Sequence, residues 1–243
     1  MTNIWSITDT GLVRKENQDA FAVMEAFGHT ICVVCDGMGG SAGGKLASRI
    51  AVDTFSAEME KRLSAGTKPD RLREISVVAV ALANRAVREA ARSSVDYRNM
   101  GTTLVSAVSF DGGVVIANVG DSRAYHITKD RIVQVTRDHS LVEHMVERGD
   151  ITAEEARRHP NRNLITRALG PDVDPECDCY TCQLAPGDFL LLCTDGLVNT
   201  VTDQEILTEV LREDTETCMD RLLNLSKSRG ASDNVTVVLA RNL

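Results

Sequence analysis

Runs of β-forming residues and long amphipathic stretches follow one another in blocks along this chain, and that order constrains the fold most. Residues 3–9, 20–25 and 30–35 are short, apolar and β-rich. The stretch 42–63 then reads as a helix, and so does 70–93. In the second, Leu72, Ile75, Ala79, Leu82, Ala86 and Ala90 recur at steps of three or four residues, as an amphipathic helix requires. Residues 101–136 return to apolar runs split by "DGG" and "KD", which predicts a β-meander with tight turns. "PGDFLLLCTDGL" reads as a turn and a buried strand, 203–212 and 215–229 as helices, and "SDNVTVVLAR" as a closing strand. Strands, two helices, strands, then helices and a strand do not make alternating βαβ units. They predict a layered α+β domain.

Composition narrows the class. The 243 residues suffice for one large domain or two small ones. Hydrophobic residues make up 43% but aromatics only 4%, so aliphatic side chains must fill the core. A net charge of −8 disfavours nonspecific binding to nucleic acid or anionic membranes. The first residues show no signal-peptide pattern, and no apolar run approaches a membrane span. Cys32, Cys35 and Cys193 lie inside apolar runs, as buried thiols do, which fits a reducing compartment. The expectation is a soluble cytoplasmic protein.

Four aspartates stand where apolar strands begin or end: Asp36, Asp121, Asp195 and Asp233. Each is followed by a small or amide residue: Gly37, Ser122, Gly196 and Asn234. Any one of them alone reads as a turn former or helix cap. Four at one kind of site suggest strand ends that converge on a cluster of carboxylates. Like charges repel and raise one another's pKa, and hard divalent cations such as Mg²⁺ and Mn²⁺ relieve that repulsion with oxygen ligands.

With those aspartates go further short motifs. "RKENQD" (14–19), "DGMGG" (36–40), "GTT" (101–103), "NVGDSR" (118–123), "TRDHS" (136–140), "TDGL" (194–197) and "SDN" (232–234) occur in this order along nearly the whole chain. Each alone is weak, but together they resemble the metal-dependent serine/threonine protein phosphatases of the protein phosphatase 2C-like class, in its compact bacterial form. The resemblance implies two packed antiparallel sheets flanked by helices, an α-β-β-α sandwich spanning 1–243 as a single catalytic domain. It implies two Mn²⁺ or Mg²⁺ ions at one end, with phosphoserine or phosphothreonine in proteins hydrolysed by a metal-activated water. By position Asp36 bridges both metals, Gly37 offers its carbonyl to the first, and Asp195 and Asp233 bind the second. Asp19 matches an acid that supports the site through water. Arg14 matches the arginine that holds the substrate phosphate, a task suited to a planar guanidinium. Asp121 reads either as a turn carboxylate or, as the resemblance supports, as a ligand with Asp195 of a weakly held third metal. Arg14, Asp36 and Asp195 are the candidate catalytic residues. Implied partners are phosphorylated proteins and a cognate serine/threonine kinase, with no nucleic acid or membrane, and the chain is expected to be a monomer.

Two positions depart from the pattern. Some eukaryotic relatives carry a histidine, proposed as general acid, where this chain has Met38. His139 is a substitute candidate, though in "TRDHS" it reads as structural. Gln18 stands where some relatives have glutamate. The charged segment 140–170 reads as short helices in a mobile surface segment and corresponds to the flap beside the site, where substrate selection would reside.

Two other patterns carry rival chemistries. Gly39, Gly44 and Lys45 match a phosphate-binding loop, but Leu46 replaces its magnesium-binding hydroxyl residue, so nucleotide hydrolysis is disfavoured. "CDCYTC" (177–182) offers three cysteines where a structural zinc takes four ligands. Cys177 and Cys179 share one strand face and Cys182 the other, so an ordinary strand is the expectation. A non-catalytic phosphoprotein-binding domain of the same fold is the remaining alternative, disfavoured by the intact Asp36, Asp195, Asp233 and Arg14.

Overall fold

The computed structural model describes residues 3–40, 43–212 and 214–241. Strands β1 (Asn3–Asp9), β2 (Asp19–Ala26) and β3 (His29–Met38) come first, followed by helices α1 (Gly43–Arg62) and α2 (Pro69–Ala91). Strands β4 (Gly101–Thr102), β5 (Leu104–Phe110), β6 (Gly113–Val119), β7 (Arg123–Ile127) and β8 (Ile132–Gln134) follow. Then come α3 (Leu141–Glu147), α4 (Ala153–Arg158), β9 (Asp178–Gln183) and β10 (Phe189–Cys193). The last elements are α5 (Asp195–Val198), α6 (Asp203–Val210), α7 (Cys218–Ser228) and β11 (Val235–Arg241). The first strand and both long helices fall where their periodicity puts them. Ala42, the first residue of the expected helix 42–63, lies outside the described residues.

The strands form two antiparallel sheets. One runs β1-β11-β10-β7-β8, the other β2-β3-β5-β6-β9, with β4 added to β3. Helices α1 and α2 cover the second sheet and α5, α6 and α7 the first, giving the α-β-β-α sandwich. Alternation along the strands sorts three apolar layers. In β3, Ile31, Val33 and Cys35 face the helices while Cys32 and Val34 face the other sheet. In β10, Phe189, Leu191 and Cys193 face the helices while Leu190 and Leu192 enter the middle layer. A strand buried on both faces reads as an unbroken apolar run, which is why these two stand out in the sequence.

The same parity places the polar residues that follow. Continuing the inward-facing positions of each strand, Cys32 and Val34 lead to Asp36, Leu190 and Leu192 to Thr194, and Val238 to Thr236. In β2, Val23 and Phe21 lead back to Asp19. The middle layer therefore ends, on one edge of the sandwich, in carboxylates and hydroxyls.

Residues 101–136 are not one continuous meander. β5 and β6 pair in one sheet, β7 and β8 in the other, and the chain crosses between the sheets at Gly120–Ser122. Gly120 makes this crossing with φ 109°. The crossing, not a hairpin turn, carries Asp121 to the end of the middle layer. Segment 140–170 holds the two short helices α3 and α4, capped by Ser140 and by a Thr152–Glu155 capping box. Isolated bridges Ser140–Ile165 and Thr102–Leu169 tie its stem to the sandwich.

Ile116 is fully buried in the middle layer, between the sheets rather than beneath a helix. Neither sheet can close over a void there without moving its ladder. Ile116→Ala should lower the unfolding free energy by about 3 kcal/mol in urea titrations. A loss under about 1 kcal/mol would mean that the layer collapses freely.

Candidate active site

The polar end of the sandwich opens into a pocket of about 380 Å³, lined by Arg14, Asp36, Gly37, Met38, Thr103, Asp121, Asp195 and Asp233 among others, with Asn163 and Ile165 reaching in from the 140–170 segment. Four of the acidic residues picked out in the sequence thus share one pocket. They come from four separate chain segments, brought together by the way the two sheets stack.

Each carboxylate is held by short-range bonds that the sequence pattern does not display. The Asp36 backbone N–H donates to Thr103 Oγ1 at 2.9 Å. Its carbonyl accepts from Thr102 Oγ1 at 2.8 Å and from the Thr103 N–H at 2.9 Å. Thr103 Oγ1 in turn bonds Ser122 Oγ at 2.7 Å, beside Asp121. The "GTT" and "GDSR" motifs are therefore one hydroxyl bridge between the ends of β3 and β6. Asp195 opens α5, and its Oδ2 accepts from Asn199 Nδ2 at 2.9 Å. Asn234 anchors the loop that carries Arg14. Its Oδ1 accepts from the Gln18 N–H at 2.8 Å and its Nδ2 donates to the carbonyls of Thr10 and Glu16. Arg14 Nη2 donates to Asp233 Oδ2 at 2.6 Å, so the guanidinium stands at the pocket rim beside a carboxylate.

The glycines after Asp36 and Asp195 serve close approach. A Cβ on Gly37 would lie 2.1 Å from the Gly44 carbonyl oxygen, and one on Gly196 would lie 1.9 Å from that of Asn234. This also accounts for the glycine-rich stretch 39–46. Gly44 abuts the backbone of Gly37, and Gly39 and Gly40 line the pocket.

Asp19 does not line this pocket. It pairs directly with Asp36 across β2 and β3, on the same sheet face but outside the pocket lining. Its Oδ2 accepts from Thr194 Oγ1 at 2.9 Å and from Thr236 Oγ1 at 2.7 Å. Met38 lines the pocket and has no proton to give. His139 lies outside the pocket and is buried. Its Nδ1 accepts from the Gly120 N–H at 3.1 Å, and Nε2 lies 3.1 Å from Asp178 Oδ2. Burial also holds its pKa down. That is a brace for the sheet crossing, in keeping with a structural role. Asp138 of the same motif pairs with Arg123 at 2.7 Å. Thr236, Asn199 and Asn163 lie outside the short motifs of the sequence, and Thr102, Thr103, Ser122 and Thr194 belong to those motifs with no role of their own assigned there. Their one signal is that hydroxyl and amide residues flank the acidic motifs.

Whether these residues suit a metal can be judged from their electrostatics. Burial pushes Asp36, Asp121 and Asp195 above the usual carboxylate range, and the neighbouring carboxylates add to the shift. Burial likewise raises Asp19 to about 7 despite its two threonine donors, with Asp195 and Asp233 contributing. Asp19 Oδ1 and Asp195 Oδ1 are buried with no hydrogen-bond partner. Among the described residues no three acidic, imidazole or thiol groups converge into a closed cage, and the carboxylates instead ring an open pocket. Orphaned hard oxygens in mutually repelling carboxylates are a donor set that fits Mg²⁺ or Mn²⁺.

A carboxylate-ringed pocket at the end of a two-sheet sandwich is an arrangement suited to a hydrolase that uses hard cations, and similarity to known proteins identifies the family. The family described as Protein phosphatase 2C matches residues 13–239. A serine/threonine phosphatase stp of Listeria innocua is 38% identical over 240 residues, covering 97% of this chain and 94% of the relative. The crystal structure of the serine/threonine phosphatase Stp1 from Staphylococcus aureus superposes with a TM-score of 0.94 at 38% identity, covering 100% and 96% of the two chains. The serine/threonine phosphatase structure from S. agalactiae gives 0.93 at 32% identity, covering 99% of each. The chain belongs to the protein phosphatase 2C family and is a serine/threonine protein phosphatase of its bacterial type. Members of this family are metal-dependent and act on phosphoproteins.

The raised carboxyl values carry a consequence for stability. An aspartate whose ordinary value is 3.8 and whose folded value is about 7 keeps a proton that the unfolded chain has released. Stability then falls as pH rises between those values, by up to about 1.4 kcal/mol per unit per group. Asp36, Asp121 and Asp195 act with the same sign. Metal-free protein should therefore melt at a higher temperature near about pH 5 than near about pH 8. Mn²⁺ should raise the melting temperature more at the higher pH, where the carboxylates are ionised. Thermal scanning checks both, and a melting temperature that climbs across this window without metal would contradict the cluster's electrostatics.

Proposed function

We propose that the chain works as one catalytic domain, hydrolysing phosphoserine and phosphothreonine at a centre of two Mn²⁺ or Mg²⁺ ions held by the carboxylates of the pocket. The observation that carries this reading is the convergence of Asp36, Asp121, Asp195 and Asp233 in one pocket with Arg14 at its rim. Asp36, raised by burial and then by Asp19 and the other three carboxylates, would serve both ions. Gly37 would contribute its carbonyl, Asp195 and Asp233 would hold the second ion, and Asp19 would support the site from the neighbouring strand. Asp121, buried beside Asp195, would hold a third ion weakly, since two carboxylates leave most of the coordination to water.

When bound, the metals supply Lewis acidity to the phosphoryl oxygens and to a water nucleophile. The protein's residues do the rest. Thr102 and Thr103 fix the backbone of Asp36, and Asn199 orients Asp195. Arg14 stays charged, its pKa raised first by its bond to Asp233. It is poised to turn its donors from that carboxylate to a dianionic phosphate, which accepts two parallel bonds. Asn163 and Ile165 bring the 140–170 segment to the pocket mouth, supporting its role as a flap that selects substrate. No thiol lies in the pocket, so no cysteine acts as nucleophile.

The product side sets the partners. Each substrate must first be phosphorylated, so a serine/threonine kinase acting on the same proteins is the natural counterpart. All seven cysteines are free thiols and among the described residues no helix can cross a membrane, which supports a cytoplasmic setting. A monomer completes this reading.

Two substitutions test it. Asp36→Asn replaces a bridging anion by a neutral amide. Phosphopeptide hydrolysis should drop by about 10³-fold or more, and calorimetric Mn²⁺ affinity should fall with it. Near-normal turnover at saturating Mn²⁺ would remove the two-metal reading. Arg14→Ala should raise KM for phosphopeptide about tenfold with a smaller change in kcat, because the guanidinium binds phosphate in ground and transition states alike. Unchanged KM and kcat would leave Arg14 as a partner of Asp233 only.

A further inference from the structure

The thiols of the "CDC" stretch lie outside the pocket, yet they are not independent of it. β9 is the edge strand of its sheet. Cys177 and Cys179 both pack toward the α1/α2 layer, whereas Cys182 turns to the middle layer. A shallow cleft on the outer edge reaches both thiols and is lined by Arg73, Val77, Cys177, Asp178, Cys179 and Tyr180. Both thiols are partly exposed. Two residues apart on an extended chain, their Cα atoms are about 6.6 Å apart, near the upper limit that a disulfide spans. Cys177 precedes the first paired residue of β9, so the chain there can shorten.

We propose that Cys177 and Cys179 form a reversible dithiol–disulfide pair, an oxidation site whose closure disturbs the phosphatase pocket through Asp178. The two cysteines differ in reactivity. The contact with Cys177 lowers the pKa of Cys179 against burial, and Arg73 lowers it further. The same contact and burial raise Cys177. With the Arg73 guanidinium in the same cleft to favour its thiolate, Cys179 is the attacking group. With hydrogen peroxide as oxidant, its sulfur attacks one peroxide oxygen, the O–O bond breaks, and hydroxide leaves and takes up a proton. Cys177 then attacks the sulfenic sulfur, giving the S–S bond and releasing the oxygen as water. Two thiols and one peroxide yield one disulfide and two waters.

Asp178 lies between the two cysteines in the chain. Its Oδ2 lies 3.1 Å from His139 Nε2, and its Oδ1 accepts from Arg167 Nη1 at 3.0 Å. His139 Nδ1 accepts the Gly120 N–H, and the His139 N–H donates to the Gly120 carbonyl at 3.0 Å. Gly120 precedes Asp121. Drawing Cys177 and Cys179 together puckers the backbone at Asp178 and pulls its carboxylate off His139. The brace on the sheet crossing loosens, and Asp121 loses its placement. Strain of this kind makes a disulfide easy to reduce, so the change reverses.

The link to activity rests on the reading of Asp121 given above, while the cross-link itself does not. The experiment treats the Mn²⁺-loaded protein with graded hydrogen peroxide, then with dithiothreitol. Peptide mass spectrometry and phosphopeptide turnover are read on the same samples. A mass loss of about 2 Da confined to the peptide holding Cys177 and Cys179, with a several-fold fall in kcat restored by dithiothreitol, is the expected result. Cys177→Ser and Cys179→Ser, matched to wild type by circular dichroism, should keep kcat under peroxide, and Cys182→Ser should behave as wild type. If either serine variant does not fold, the alanine variant at that position replaces it. Absence of the 177–179 cross-link overturns the dithiol pair. A cross-link with unchanged kcat overturns the coupling to the pocket. An Asp121→Ala enzyme of normal kcat would instead point to a failure of the Asp121 reading, since the cross-link is still scored by mass.

Discussion

Burying several carboxylates together is the constraint on which the rest of this structure depends. Desolvation and mutual repulsion both oppose ionised Asp36, Asp121 and Asp195, and the chain meets that cost with an architecture built around them. The middle apolar layer stops at one edge of the sandwich, and the strands that fill it continue into acids and hydroxyls. Removal from water raises the carboxylates, and a divalent cation lowers them again. The repulsion within the cluster and the attraction such a cluster holds for a hard cation are two sides of one electrostatic term.

Holding such a cluster open requires rigid supports. Thr103 bridges the end of β3 to Ser122 at the sheet crossing, and Thr194 and Thr236 hold Asp19. These bonds join residues from different strands, so the carboxylates keep their spacing when uncharged. Gly37 and Gly196 allow backbones to approach more closely than any side chain would permit. Asn234 ties the Arg14 loop to the start of β11, so the Arg14 guanidinium and the Asp233 carboxylate are set by one anchor. Arg14 in turn neutralises Asp233, a pairing in which substrate phosphate is a natural competitor.

The site does not end at its carboxylates. Gly120 is held by His139, and His139 by Asp178 on an edge strand, so the sheet crossing feels the outer face of the molecule. The 140–170 segment contributes Asn163 and Ile165 at the mouth. It is tied to the same brace, since Arg167 donates to Asp178 at 3.0 Å and the Thr166 N–H to the His139 carbonyl at 2.7 Å.

Local chemistry made much of this legible in the sequence. Helices α1 and α2 follow from their 3.6-residue stripes. Strands β3 and β10 follow from apolar runs too short for a core helix, and the repeated Asp at strand ends marked the carboxylates. The opposite facings of Cys177 and Cys182 followed from the two-residue period alone. What the sequence could not determine is everything that depends on which strand lies beside which. The expected meander is in fact two hairpins in two sheets, because the apolar pattern of β6 and β7 is the same whether the turn between them folds back or crosses over. The hydroxyl bridges, the Arg14–Asp233 pair and the Asn234 anchor join residues up to 224 positions apart. Periodicity reports only which face of an element is apolar. Tertiary packing decides which faces meet, and so which carboxylates share one pocket.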